Sequence, residues 1–163
     1  MGGVNLKHSP ARILLYIVPI CLYISNLRNF KKLGLKLGFT LGYDSFGYGL
    51  RIPHYGTIVV GAKTRFGNYT CIHTSTCVTN TGKTIGNGCY IATGVKITTH
   101  LSLADNIKIG ANSVVNKPFG EENIMIAGAP AVKKKDSPAW YLDEAHKWKY
   151  EKIESLRRTM GLI

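Results

Sequence analysis

Apolar residues recur along the middle of the chain at intervals of six, and a small residue usually follows each of them. The apolar positions are Phe46, Ile52, Val60, Phe66, Ile72, Val78, Ile85, Ile91, Ile97, Leu103, Ile109 and Val115. The series has two longer steps, one from Ile52 to Val60 and one from Val78 to Ile85. A period of six fits neither an α-helix, around which it would scatter apolar residues, nor a hairpin sheet, which alternates.

This period predicts a coil with three flat faces, in which each hexad supplies one short strand and the small residue turns the corner. Three hexads complete a coil, so residues eighteen apart stack, as Val60 does on Val78 and Ile85 on Leu103. The strands then pair in parallel with the coils above and below. Such a solenoid buries one continuous core and needs caps at its ends. We therefore predict a mainly β fold, with residues 38–135 as the solenoid domain.

The two flanks predict helices. Residues 1–37 read as an N-terminal helical segment, with one or two helices followed by a basic connector. Its apolar run, Ile13–Ile24, is broken by Pro19 and is shorter than the roughly 18 residues of a membrane-spanning helix. A signal peptide is the alternative, although no small-residue cleavage site follows the run. Residues 136–163 predict a C-terminal helix that begins at Ser137-Pro138 and carries an aromatic stripe for packing or for contact between subunits.

The formal net charge of +12 favours an anionic partner: a phosphate-rich cofactor, an acidic membrane surface or nucleic acid. The chain has no recognised nucleic-acid-binding motif, so we predict no nucleic-acid partner. A contact between the N-terminal segment and a membrane surface stays open. The four cysteines form no CxxC pair, which predicts no metal site and indicates a reducing, cytoplasmic compartment.

The longer step after Ile52 contains a histidine, His54, in a loop that the period pushes out of the solenoid. Loops on a rigid scaffold often carry function, and the unperturbed pKa of histidine suits it to general-base chemistry. The alternative is an ordinary surface histidine. A second histidine, His73, occupies a corner position that is usually small, and it either lines the same cleft or is a hydrogen-bonded structural residue.

The segment 47–135 resembles the hexapeptide-repeat acyltransferases, most of all the serine acetyltransferase branch and related enzymes of polysaccharide gene clusters. The resemblance is carried by three blocks: IPHYGTIVVG at 52–61, IGANSVV at 109–115 and AGAPA at 127–131. It implies a left-handed parallel β-helix, a homotrimer, and acetyl-CoA bound between neighbouring subunits. It also implies that His54 is the general base for acetyl transfer to a hydroxyl, for which no metal is needed.

The same resemblance implies which residues meet the cofactor. Ala92 and Ala111 would lie along the pantetheine arm, and Asn116, Lys117 and Lys135 near the nucleotide end. The alternative for the lysines is a solvated run of charge.

The family often pairs its histidine with an acid one coil earlier, but residues 38–42 contain none. Asp44 is the nearest candidate, and it either orients His54 or only closes a turn.

The choice of acceptor is inferred from a loop in which this chain differs from the serine acetyltransferases. Serine acetyltransferases carry a longer loop with a second, substrate-facing histidine after the hexad at Val78, where this chain has only residues 80–84. We therefore expect a hydroxyl of a sugar or polysaccharide precursor as the acceptor, in the cytoplasm or at the inner face of the membrane. Two alternatives remain: a serine O-acetyltransferase of cysteine biosynthesis, and a solenoid that binds a membrane surface or anions without catalysis.

Overall fold

A computed structural model describes residues 10–162, with side chains from residue 21 onward. Residues 1–9 of the predicted N-terminal segment lie outside the described residues. The chain begins with α1 (Pro10–Leu37) and ends with a 3-10 turn (Trp140–Leu142) and α2 (Lys147–Thr159). Between them are β1 (Phe39–Thr40), β2 (Ile58–Val60), β3 (Thr64–Phe66), β4 (Cys71–Ile72), β5 (Thr76–Val78), β6 (Lys83–Ile85), β7 (Tyr90–Ile91), β8 (Lys96–Ile97), β9 (Leu101–Leu103), β10 (Lys108–Ile109), β11 (Val114–Val115), β12 (Ile124–Gly128) and β13 (Ala131–Asp136).

The strands form three sheets, one on each face of a solenoid. Sheet A has the order β1-β2-β5-β8-β11, sheet B β3-β6-β9, and sheet C β4-β7-β10-β12-β13. The chain visits A, B and C in turn, and every pair is parallel except the terminal hairpin β12–β13. The predicted fold class, a mainly β solenoid with helices at both ends, is confirmed.

The registers confirm the predicted stacking of coils. Val60 pairs with Val78, and Ile85 pairs with Leu103. Where a longer step intervenes, the partner moves along the chain by the inserted residues, as for Phe66 opposite Ile85. The inserted residues are therefore displaced into loops, and the core ladder stays continuous.

Each strand also has a second inward position, two residues before the first, which the hexad pattern alone did not predict. Some of these residues are apolar and fully buried, such as Ile58 and Val95. Others carry hydroxyls that satisfy a corner carbonyl: Thr76 Oγ1 donates to His73 O at 2.8 Å, and Ser113 Oγ donates to Gly110 O at 2.7 Å. These two buried hydroxyls are thus hydrogen-bonded, whereas the hydroxyl of Thr64, at the equivalent position of β3, has no partner among the described residues.

Helix α1 is a single helix that continues through the predicted basic connector. Its half-buried residues Leu27, Phe30, Gly34 and Leu37 recur at three- and four-residue intervals and form the face toward the first coil. The helix stops at Gly38, whose positive φ of 80° ends the helical path. Within the described residues, no helix combines the length and apolarity that crossing a membrane requires.

The predicted start of the C-terminal helix at Ser137-Pro138 is wrong, because α2 begins at Lys147. Ala139 is extended, with ψ of 131°, and this places Trp140 against the solenoid, where it is buried. The Trp140 Nε1–H donates to Tyr69 O at 3.1 Å. Burying this indole and satisfying its donor outweighs the local preference for a helix at Ser-Pro.

We expect Leu103→Ala to lower the free energy of unfolding by about 2–5 kcal/mol, because it leaves a cavity in the ladder above Ile85. The matched control is Leu156→Ala, since Leu156 is half exposed on α2. Urea unfolding followed by circular dichroism measures both. Equal losses in the two variants would contradict the ladder as the source of stability.

Candidate active site

The loop that carries His54 is held between α1 and the second coil. The Gly56 N–H donates to Leu37 O at 3.0 Å, and the Ile58 N–H donates to Gly38 O at 3.1 Å. Gly56 has φ of 129°, and a Cβ there would lie 2.3 Å from Thr74 Oγ1, so only glycine fits. These contacts hold the loop in one path and leave the His54 side chain exposed.

His54 is the first of three neighbouring rings from successive coils, each tilted by just over 50° relative to the next. Its ring centroid lies 6.2 Å from that of His73, which in turn lies 5.0 Å from that of Tyr90. His73 follows Ile72 at the corner between sheets C and A, where the next coil has Ala92. The structure therefore brings the two predicted histidines together on one edge of the solenoid, which we call the C/A edge.

The environment of His73 favours its neutral form. Partial burial lowers the pKa of the His73 imidazole, and the nearby His54 and Arg51 lower it further. A neutral His73 adds no positive charge beside His54, and it leaves a ring nitrogen free to act as a hydrogen-bond donor.

Asp44 has a different partner from the one considered in the sequence. Its Oδ2 accepts a hydrogen bond from Arg65 Nη2 at 2.9 Å, in a pair whose side chains are both largely exposed. Among the hydrogen bonds of the described residues, none joins Asp44 to His54. This ion pair joins neighbouring coils at the surface, where such pairs stabilise little.

The residues predicted to meet a cofactor lie on more than one edge. Ala92 and Ala111 lie on the C/A edge, in the coils that follow His73. Asn116 and Lys117 follow β11, and they lie on the edge between sheets A and B, which we call the A/B edge. Lys135 is exposed on the terminal strand of sheet C, opposite Met125. Within one subunit these groups do not form one continuous cleft.

The short loop after Val78 is fixed by a buried lysine. Lys83 occupies an inward position, and its Nζ donates to Thr79 O at 2.6 Å, Thr79 Oγ1 at 2.9 Å and Thr81 Oγ1 at 2.7 Å. Burial lowers the pKa of this ammonium. From the next coil, His100 Nδ1 donates to Gly82 O at 2.6 Å. Sequence reasoning missed Lys83, and the second inward position of each strand is the signal that identifies it.

The edge between sheets B and C, the B/C edge, is covered by the C-terminal segment. Tyr141 stacks on Tyr69 at 5.0 Å, and the Tyr69 hydroxyl donates to Glu154 of α2. Burial, together with this carboxylate, raises the pKa of Tyr69, while the same hydrogen bond lowers the pKa of Glu154. The guanidinium carbon of Arg157 lies 3.8 Å from the Tyr48 ring centroid. This packing leaves the C/A edge uncovered by α2.

The two buried cysteines and the metal-ligating side chains of the described residues give no competing site. Burial raises the pKa of both the Cys71 and the Cys89 thiols to about 12, so they stay protonated at neutral pH and are poor nucleophiles. No group of three or more histidine, cysteine, aspartate or glutamate residues in the described part of the chain is arranged to hold a metal ion.

No family model matches the sequence. A serine acetyltransferase of Helicobacter pylori strain ATCC 700392 / 26695 is 34% identical over 76 residues, which cover 42% of this chain and 44% of that protein. The corresponding enzyme of strain J99 is 33% identical over 76 residues, with the same coverage. The chain thus spans less than half the length of the curated relatives it matches.

The solenoid is similar to those of solved serine acetyltransferases. The enzyme from Brucella abortus strain S19 aligns with a TM-score of 0.51 and 27% identity, over 58% of this chain and 41% of that one. Its complex with coenzyme A aligns with a TM-score of 0.53 and 26% identity, with the same coverage. These comparisons confirm that the chain resembles the hexapeptide-repeat acetyltransferases in fold and in local sequence.

Because its pKa is lowered on folding, His73 makes the native state sensitive to acid. Above about pH 6.5, the pKa of histidine in the unfolded chain, this imidazole is neutral in both the folded and the unfolded state. Below that pH the unfolded state takes up the proton more readily than the folded state, so stability falls as the pH is lowered. We expect the melting temperature of the His73→Gln variant to fall less than that of the wild-type protein when the pH is lowered from 7.5 to 5.5. Thermal unfolding at both pH values measures this, and equal losses would contradict it.

Proposed function

We propose that this chain transfers an acetyl group from acetyl-CoA to a hydroxyl group, with His54 as the general base. The observation that carries the proposal is the C/A edge, where an exposed histidine on a tightly held loop stands beside a neutral His73 and in line with Ala92 and Ala111. The similarity to serine acetyltransferases, including one solved with coenzyme A, supports the choice of acetyl donor.

The chemistry assigned to the residues is simple. The His54 imidazole acts as the base and accepts the proton of the acceptor hydroxyl as the hydroxyl oxygen attacks the thioester carbonyl. The carbon–sulfur bond then breaks, and the imidazolium returns the proton to the leaving thiolate, which restores the base. The thioester is already activated, so the protein has to supply orientation and a base. We propose that the adjacent His73 donates a hydrogen bond to the acceptor or to the developing oxyanion, a role that its closeness to His54 supports.

The residues present suit a long, anionic co-substrate. Ala92 and Ala111 present small side chains along one edge, where an extended pantetheine arm can approach the backbone. Lys117 and Lys135 are exposed cations that can meet phosphates, the first of them on the A/B edge. Because these groups lie on different edges, a single cleft that contains both forms only between two copies. The resemblance to the hexapeptide-repeat acyltransferases implies a homotrimer, and we propose that in it the C/A edge of one subunit faces its neighbour.

We expect His54→Ala to lower acetyl transfer by about 10²- to 10⁴-fold, the range for loss of a general base. The assay follows thiol release from acetyl-CoA with an accepted hydroxyl substrate. His146→Ala is the matched control, because His146 pairs with Asp143 in the C-terminal segment and lies away from the C/A edge. Full activity in the His54 variant would remove the proposed mechanism.

For the acceptor we propose a hydroxyl of a sugar or polysaccharide precursor. The loop of residues 79–82 is short, and hydrogen bonds from Lys83 and His100 hold it against the solenoid. It therefore offers no extended arm around a small amino acid. The competing acceptor is serine, which the names of the similar proteins favour.

A panel of acceptors separates the two. Thiol release is measured with serine, amino sugars, hexoses and short oligosaccharides at equal concentration. We expect turnover with a sugar and a kcat/KM for serine at least about 100-fold lower, because a site built for one pattern of hydrogen bonds rejects ligands that leave its polar groups unpaired. Preferential turnover of serine would overturn the sugar acceptor and leave the role of His54 intact.

A further inference from the structure

Helix α1 carries a surface that the proposed reaction does not use. Three cationic residues, Arg28, Lys32 and Lys36, follow one another at intervals of four, so they form a straight row along the helix. All three side chains are exposed. The half-buried residues that face the solenoid, such as Phe30 and Gly34, lie on the opposite side of the helix. The row therefore faces away from the body of the protein.

Large apolar side chains accompany this row in the open. Leu35 is 82% exposed, Leu22 59%, Leu33 56% and Ile24 43%. At 100° per residue, Ile24 and Leu35 lie next to Arg28, and Leu33 and Leu35 also line the open rim of a cavity between the helix and the first coil. So many exposed apolar groups on one helix indicate a surface that is covered in use.

The helix contacts the first coil along its second half, where the rings of Tyr23 and Phe30 lie 5.9 and 5.6 Å from that of Tyr43. The contact runs from α1 to β1, and an apolar cavity of about 450 Å³, lined by Phe30, Leu41 and Ile52 among others, lies between helix and coil. At a rise of about 1.5 Å per residue, a 28-residue helix is about 42 Å long. Among residues 21–37, the face that carries Arg28, Lys32 and Lys36 is therefore available to a partner.

The charged residues before Asp44, which include those of α1, are all cationic. All nine acidic residues of the chain lie at Asp44 or beyond, whereas six of its 21 cationic residues precede Asp44. By contrast α2 mixes signs, with Glu151 and Glu154 among its lysines and arginines. A helix that is cationic, free of acids and partly apolar complements an anionic surface with an apolar interior.

We propose that α1 binds the surface of an anionic phospholipid membrane. Arg28, Lys32 and Lys36 lie at the headgroups, and the exposed apolar residues reach the boundary of the acyl chains. This goes beyond the proposed reaction and does not depend on it, because binding to vesicles is measured without acetyl-CoA or an acceptor. In a trimer three copies of α1 would bind the same membrane, and this multivalency would raise the overall affinity.

The test is co-sedimentation of the full chain with vesicles of phosphatidylcholine alone and of phosphatidylcholine with one quarter phosphatidylglycerol. We expect binding to the anionic vesicles only, and weaker binding as salt is raised. Arg28→Glu/Lys32→Glu should lower the partition coefficient on the order of 30-fold or more, because each cation near such a surface contributes about fivefold. Lys152→Glu/Arg158→Glu on α2 changes the net charge equally and should leave the binding nearly unchanged.

Three outcomes would overturn the proposal. Equal binding to neutral vesicles would remove the role of the cations, and equal loss in the α2 control would show that net charge alone is responsible. No binding to either vesicle, with the Arg28/Lys32 variant changing the oligomer size in light scattering, would assign this face to contact between copies. If the chain bound anionic vesicles but released no thiol from acetyl-CoA with any acceptor, the proposed reaction would be refuted and the membrane proposal would stand.

Discussion

The ladder of inward side chains from coil to coil is the constraint on which the rest of this structure depends. Each coil must return its residues above those of the previous coil, as Val78 returns above Val60 and Ile97 above Val78. Strands of two or three residues cannot form a stable sheet alone, and only this repetition buries them in one core. An extra residue can therefore leave the path only at a corner. The loop of His54 and the loop before Lys83 are the two corners where this happens.

The polar residues of the interior follow from the same constraint. A tight corner turns backbone carbonyls away from the ladders, and they need donors. Thr76 and Ser113 supply a hydroxyl three residues later in the chain, and Lys83 extends further to the carbonyl of Thr79 in the corner that is one residue longer. The longer reach of the lysine matches the longer loop. What hydropathy alone would treat as a break in the core is thus part of its hydrogen bonding.

The hexad period was sufficient to predict the strands, their stacking and the exposed position of His54, because each follows from where residues fall along one repeated path. Other features depend on residues that meet only after folding. Asp44 pairs with Arg65 from the next coil, and nothing local distinguishes that partner from His54. The start of α2 was mispredicted since the burial of Trp140 against Tyr69 decides the path of the chain there. The second inward position escaped hydropathy because hydroxyls and lysine occupy it as well as apolar residues.

Two hydrogen bonds, Gly56 N–H to Leu37 O and Ile58 N–H to Gly38 O, tie the His54 loop to the end of α1 and to the residue after it. A surface that holds α1 would therefore also set the height of His54 above that surface. The solenoid would then hold His54 at a set distance from the membrane. For an acceptor anchored in the same surface, the hydroxyl that is modified would be chosen by its distance from the anchor as well as by the shape of the sugar around it.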